Sequence, residues 1–467
     1  MGRAVAVEVK GGSVTNVFGC NNLNGTPQGP VAVTVNSTRA STISGSSKVY
    51  AINGVYGGGN KAHYVPANLS ADSSTVTING CASSIKDVYG GGNAAAVPNT
   101  NVIVNGGDID RVFAGGNGES GTPAHIGWKS TVSEPNSDSY GTGNVSVTIQ
   151  GGTINQLFGG SNSSGVVRGK TYMSVNPTGT CALNLDEVFC GSNMANISGD
   201  VVSVITCNNF TIGTLYGGCN QANVVANNTQ PGNVTLTVNG GTYNNIYGGS
   251  KGTLSAAANI AGDVTLNIYG GTVLQAVYGG SNINGSIGGN ITVTVEDKGG
   301  ECPLNLESAN VYGGGNLAVY TAPTASGARD YNPMVHINHA TVRNVYGGGK
   351  GDANDNTQTK GSVKGTPQVF IGVSNDKRAT VLENVFGGGD AAKIEGNTIV
   401  DINHKSIVRG SIFGGGNAAD IAKVNSSGGD TEVLIKDQSK VYGNVYGGGN
   451  MGKVAGNTKV IVNGVAQ

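Results

Sequence analysis

At 467 residues the chain could make two to four ordinary domains, but 80 glycines and 12 % charged residues depart from globular usage. A formal net charge of −1 gives no electrostatic case for nucleic acid or an anionic membrane. No apolar run approaches the ~18 residues that span a bilayer, and the glycines lack a collagen period.

Taken from its start, the chain runs from Met1-Gly2-Arg3 directly into an alternating strand, 4–9, without a signal-peptide pattern. An export signal, if there is one, lies outside this chain. The first full unit then sets a pattern that recurs fourteen times. An alternating strand, such as Val145-Ser146-Val147-Thr148-Ile149, places aliphatics on one face and Thr or Ser on the other. An Asn- and Gly-rich turn follows, as in Asn105-Gly106-Gly107 and Gln150-Gly151-Gly152, where glycine supplies positive φ. Next comes a hexad, complete in Val445-Tyr446-Gly447-Gly448-Gly449-Asn450. A short third segment closes each unit, as in Ala195-Asn196-Ile197, and many units reset with Gly-Asn or Gly-Asp.

The hexad opens with Val, Leu or Ile and continues with an aromatic ring. In chain order the rings are Phe18, Tyr56, Tyr89, Phe113, Phe158, Phe189, Tyr216, Tyr247, Tyr278, Tyr312, Tyr346, Phe386, Phe413 and Tyr446. It ends on Asn in eleven of the fourteen copies: Asn22, Asn60, Asn93, Asn117, Asn162, Asn193, Asn220, Asn282, Asn316, Asn417 and Asn450. Lys251, Lys350 and Asp390 stand in the other three. A unit of 24 to 27 residues at its shortest has room for three short strands and no helix. This predicts an all-β fold: one continuous parallel β-solenoid over 1–467, about fourteen coils, with a right-handed wind. Val33, Val35, Val76, Ile78, Val147, Leu236, Val293, Val400 and Val462 are its expected core. Longer units locate insertions near 22–30, 64–74, 118–143, 321–333 and 351–368, which become loops on the surface.

This repeat resembles the parallel β-helix proteins of bacterial surface adhesins, autotransporter passengers and phage tail fibres. The likeness is one of architecture and covers the whole chain. It implies an extracellular or cell-surface location and a scaffold role.

The chemistry-bearing residues carry structural readings. Stacked asparagines form an amide ladder, each donating to the next. Gly-Gly-Gly lacks the Lys-Ser/Thr of a phosphate-binding loop. The rings form either a buried stack or an outward stripe for sugar stacking or self-association; neighbouring strand residues face opposite ways, so Val and ring share the interior only at a bulge. Outward threonines are too irregular to template ice. Seven cysteines without C-x-x-C spacing argue against zinc; Cys181 could meet Cys207 and Cys190 could meet Cys219, but each reads first as a small buried hydrophobe in a ladder. The acid pairs Asp108 with Asp110, Asp186 with Glu187 and Asp352 with Asp355 are scattered, and the five histidines form no triad. We therefore expect no enzyme, no cofactor and no metal, but a rigid structural or adhesive fibre segment. A polysaccharide-binding or polysaccharide-degrading β-helix is the rival reading. Partner contact, to a glycan or a cell-surface protein, falls to the insertions, above all Trp128 and His125. The terminal strands 4–9 and 458–463 expose unpaired edges, which self-association or flanking coils would cover.

Overall fold

The computed structural model describes residues 3–68, 71–127, 143–324, 331–373, 378–424 and 428–463. These residues are all-β, without helix. They form two compact units, Met1–Asn233 and Val234–Gln467.

In the first unit, seven strands stack in parallel and in register, from Val5–Val9 through Val31–Val35, Ser74–Ile78, Thr100–Val104, Val145–Ile149 and Thr171–Val175 to Val201–Ile205. Their alternation is the cause of the register. Val33, Val35, Val76, Ile78 and Val147 are at most 1 % exposed while the Thr and Ser between them are half-buried, and a one-residue slip would turn every aliphatic outward. A second parallel ladder carries the hexads: Val14–Phe18, Ile52–Tyr56, Ser84–Tyr89, Asp108–Phe113, Gly152–Phe158, Leu183–Phe189 and Thr211–Tyr216. A third, shorter ladder joins Val166–Val167, Asn196–Ser198 and Val224–Val225. One insertion departs from the rule, Thr42–Ser44 and Ser47–Val49 pairing antiparallel as a hairpin.

The second unit repeats the plan. Its first two strands, Val234–Tyr247 and Val264–Tyr278, are long because each runs unbroken through both ladders. Ile291–Val295, Met334–Ile337, Gln368–Ile371, Thr398–Ile402, Thr431–Lys436 and Thr458–Asn463 complete this unit's own alternating ladder. Leu236, Val293 and Val400 are fully buried in it. Val462 is not: it is 66 % exposed, because its strand has a neighbour on one side only among the described residues. This unit has a short ladder of its own through Tyr320–Thr321, Val363–Lys364, Ile394–Glu395 and Ile421–Ala422. Parallel ladders of repeats stacked in this way are solenoid-like.

The reset dipeptides hold successive repeats together. Oδ1 of Asn99 accepts from the amide of Asn144 at 3.2 Å, and Oδ1 of Asn144 from that of Lys170 at 3.3 Å. In the second unit Asp263 serves Asn290 at 2.7 Å, Asn397 serves Asp430 at 3.0 Å, and Asp430 serves Asn457 at 2.6 Å. Each side chain thus satisfies a turn amide that the ladders leave over.

Candidate functional site

The asparagine row is a chain of side-chain hydrogen bonds. In the first unit Nδ2 of Asn60 donates to Oδ1 of Asn22, Asn93 to Asn60, Asn117 to Asn93, Asn162 to Asn117, Asn193 to Asn162 and Asn220 to Asn193, all between 2.7 and 2.9 Å. In the second, Asn316 donates to Asn282, Asn417 to Asp390 and Asn450 to Asn417, at 2.8–2.9 Å. Asp390 continues the row because a carboxylate accepts as an amide oxygen does. Lys350 interrupts it: lysine brings only donors on a long stem, its side chain is exposed, and Oδ1 of Asn316 is left buried without a partner.

Within each unit the rings stack on one another. Centroids of successive rings from Phe18 to Tyr216 lie 4.6–5.0 Å apart with planes within 8°. From Tyr247 to Tyr446 the spacing is again 4.6–5.0 Å. That spacing is the distance between parallel strands, so one ring per repeat stacks without adjustment. From Tyr56 to Phe413 every ring is at most 9 % exposed. No bulge at the Val–ring pair is required. The ring of Tyr56 lies over Gly54, two residues back and hence on the same face, where a methyl would come within 2.5 Å of Cε2. In the next repeats Asp87 and Arg111 occupy that position and form a bidentate pair at 2.7 and 2.9 Å, with the guanidinium 5.6 Å over Phe113. On the far side Nδ2 of Asn162 reaches the Tyr89 hydroxyl at 3.4 Å. The column is therefore enclosed between a polar row and the amide row, with its ring faces spent on one another. Burial pushes the Tyr56 phenol up to about 12 and those of Tyr89, Tyr278, Tyr312 and Tyr346 higher, so all stay neutral.

The hexad's fifth residue has a role of its own. Where it is Ser, the buried hydroxyl accepts an amide of the preceding repeat: Ser161 from Gly116 at 3.1 Å, Ser192 from Ser161 at 3.0 Å, and Ser281 from Ser250 at 3.2 Å. Sγ of Cys219 takes the amide of Ser192 at 3.3 Å in the same way. Cys190 sits two hexad positions earlier, its amide bonded to the Tyr216 carbonyl; the possible pairing of Cys190 with Cys219 is not made, and both are the buried small residues that the ladder reading expects. Both stay as thiols, pushed up to about 12 by burial. Cys181 meets Cys81, not Cys207, in a disulfide.

The scattered acids are engaged locally. Asp108 binds the hydroxyl of Ser41 and Lys48, Asp110 accepts from Asn155, Glu187 from Gln156, and Asp352 binds Lys360 at 2.7 Å. Asp355 accepts the amides of Thr357, Thr359 and Lys360 within its own loop at 2.9–3.0 Å. Among the described residues no group of three or more His, Cys, Asp or Glu is placed to hold a metal. Among the described residues no helix is long and apolar enough to cross a membrane.

Of the two residues singled out for partner contact, Trp128 lies outside the described residues. His125 is half-buried, and its Nδ1 accepts the Val166 amide at 3.1 Å. His63 does the same for Ala96 at 2.9 Å. Sequence spacing hid this likeness, because an insertion separates the two. Accepting at Nδ1 requires the neutral ring, and burial, with Arg168 and His63 nearby, lowers His125 to about 4; burial also lowers His63. A folded-state value below the unfolded ~6.5 means full stability above pH ~6.5, lost as pH falls toward 4. His125→Asn, whose Oδ1 can replace Nδ1 without titrating, is expected to remove part of this acid loss. After discounting for a half-exposed ring we expect on the order of 1–2 kcal/mol, read as the change in urea midpoint between pH 7 and pH 4.5.

The insertions 22–30 and 64–74 pack on one another. The Tyr64 hydroxyl donates to the Gly29 carbonyl at 2.8 Å and the Val65 amide to Oγ1 of Thr26 at 2.7 Å. Leu23, Thr26, Lys61, His63, Val65 and Pro66 line an open cleft of about 660 Å³ between them.

These features define a solenoid-like, all-β protein with a large all-parallel sheet, whose regular part is built from side-chain ladders. The chain matches no protein-family model, no curated protein and no solved structure.

Proposed function

We propose that the chain is a non-catalytic structural and adhesive segment of an extracellular surface fibre or adhesin, wound as a right-handed parallel β-helix of about fourteen coils. The observation that carries this reading is the fate of the chemistry-bearing side chains. Amides bond to amides, rings stack on rings and carboxylates pair locally, so the repeats offer a scaffold and leave recognition to the insertions. The Cys81–Cys181 disulfide suits an oxidising, extracellular compartment. Partner contact, to a glycan or a cell-surface protein, is assigned to the cleft between 22–30 and 64–74 and to the insertion 118–143. Val460 and Val462, 42 % and 66 % exposed, with Tyr446 at 43 %, form an edge that a further repeat, from flanking coils or a second copy, would cover.

Binding to a glycan array and to isolated cell walls tests the adhesive reading, with Lys61→Glu and Trp128→Ala each expected to weaken whatever binds by tenfold or more. Turnover of a bound polysaccharide would replace this reading with a degrading enzyme. Full binding by both variants would remove the insertions from the argument. Val460→Asp with Val462→Asp is expected to abolish any concentration-dependent assembly seen by light scattering while strand content is kept.

A further inference from the structure

Strands Ser84–Tyr89, Asp108–Phe113, Gly152–Phe158 and Leu183–Phe189 are four consecutive rungs of one ladder. Cys81 precedes the first and Cys181 the fourth. Three rungs at ~4.8 Å would hold them ~14 Å apart, yet their Cα atoms are 5.4 Å apart and their sulfurs are bonded. The bridge passes over the Gly-Gly turns of the two intervening rungs, Gly106-Gly107 and Gly151-Gly152. The two glycines of each turn have different reasons to be there. Gly107 and Gly152 hold φ of +120° and +109°, which glycine alone adopts readily. Gly106 and Gly151 have no such φ. A methyl on Gly106 would overlap Sγ of Cys181 and come within 3.1 Å of the Cys81 backbone. On Gly151 it would lie 2.6 Å from the Cys181 carbonyl and 2.7 Å from that of Asn105. In the second unit the same pair of reasons recurs: the backbone carbonyl of Cys302 sits 2.5 Å from where a methyl on Gly270 would be, and the next residue, Gly271, has φ of +93°.

We propose that the first glycine of each turn is a saddle cut for the bridge, and that Cys81–Cys181 is a redox-operated clamp across four rungs of the first unit. To form it, the two thiols give up two protons and two electrons to a disulfide oxidant, RSSR, which leaves as two RSH by thiol–disulfide exchange. Oxidised, the clamp seats the loop 176–182 over the turns, with the Gly152 amide on the Ala182 carbonyl at 3.0 Å and the Gly179 amide on that of Gln150 at 3.3 Å. Reduced, that loop lifts and the turns open to water.

Hydrogen exchange of the full chain, with and without dithiothreitol, reads the clamp. With Cys207 and Cys302, also disulfide-bonded, replaced by Ser throughout, reduction should raise exchange at least tenfold at 150–153 and 176–182, leave strand Val145–Ile149 unchanged, and do nothing further once Cys81→Ser and Cys181→Ser are added. Gly106→Ala tests the saddle: the peptide pair linked through Cys81 and Cys181, measured by mass spectrometry after refolding with oxidised glutathione, should fall below a tenth of its normal yield. Should Gly106→Ala fail to fold, the same change in the double-serine background decides. Folding there locates the clash in the bridge, and failure there shows a backbone need and overturns the saddle. Normal bridge yield in Gly106→Ala, or exchange unmoved by reduction, would equally overturn the proposal.

Discussion

Phe113→Ala is expected to cost the first unit about 3–5 kcal/mol. Its ring is fully buried, stacked on Tyr89 at 4.9 Å and on Phe158 at 4.7 Å, with Arg111 over it. Truncation loses the transfer energy of the ring, leaves a gap that fixed 4.8 Å rungs cannot close, and breaks two ring pairs worth about 0.5–1.5 kcal/mol each. Tyr446→Ala removes the same kind of ring where it is 43 % exposed and has one stacking neighbour; its cost should stay below about 1.5 kcal/mol. Phe113→Tyr should be nearly neutral, since the row already exchanges the two residues and Tyr89 finds an amide for its hydroxyl. Denaturant melts give the three values. Because each repeat touches mainly its neighbours, hydrogen exchange should place the loss for Phe113→Ala in the rungs from Ser84 to Phe158, with strand Val201–Ile205 little changed. Equal losses for Phe113→Ala and Tyr446→Ala would show that stacking contributes nothing beyond the backbone ladder.

The asparagine and aromatic rows were legible because one residue type recurs at one hexad position, and parallel in-register pairing turns equal position into contact. Which face the rings occupy was not. Val55 and Tyr56 are both buried, and sequence cannot distinguish an interior ring from an outer one covered by Asp87, Arg111 and the amides. Lysine at 350 read only as an exception, and its cost, the orphaned Asn316 oxygen, needed coordinates. Cys81 and Cys181 are 100 residues apart and meet only because two glycines between them lack side chains, a condition no spacing rule contains. His63 and His125 share a role across insertions of unequal length, so no period connects them. Turn glycines were assigned to positive φ, but Gly106 and Gly151 are there for space. Short-range pattern encodes the ladders, while contacts that skip rungs or cross insertions depend on how loops of irregular length fold back.

The same distinction between conformation and space governs the hexad, and it yields a contrast with a built-in control. The third hexad residue is Ala114 or Cys190 in two repeats, so a Cβ there is tolerable. The fourth is glycine in every repeat after the first, where Cys20 stands half-buried. None of Gly348, Gly388, Gly415 and Gly448 has positive φ, so backbone freedom does not explain them. Gly388→Ala would set a methyl 2.8 Å from the Gly416 amide nitrogen and 2.8 Å from Cδ1 of Ile421. Both belong to the next rung, which must move away and stretch the bond from the Gly388 amide to the Gly415 carbonyl, now 3.1 Å. Overpacking of this kind costs about 1–3 kcal/mol, and the strained backbone bond puts the expectation at the upper end. Gly448→Ala makes the same chemical change at the same hexad position, but nothing lies within 4 Å of the added methyl. It should be neutral to within about 0.5 kcal/mol. Paired urea melts, with exchange measured at 385–390 and 412–417, test the difference; equal effects at the two sites would show that the glycine is kept for backbone reasons and not for the approach of the next rung.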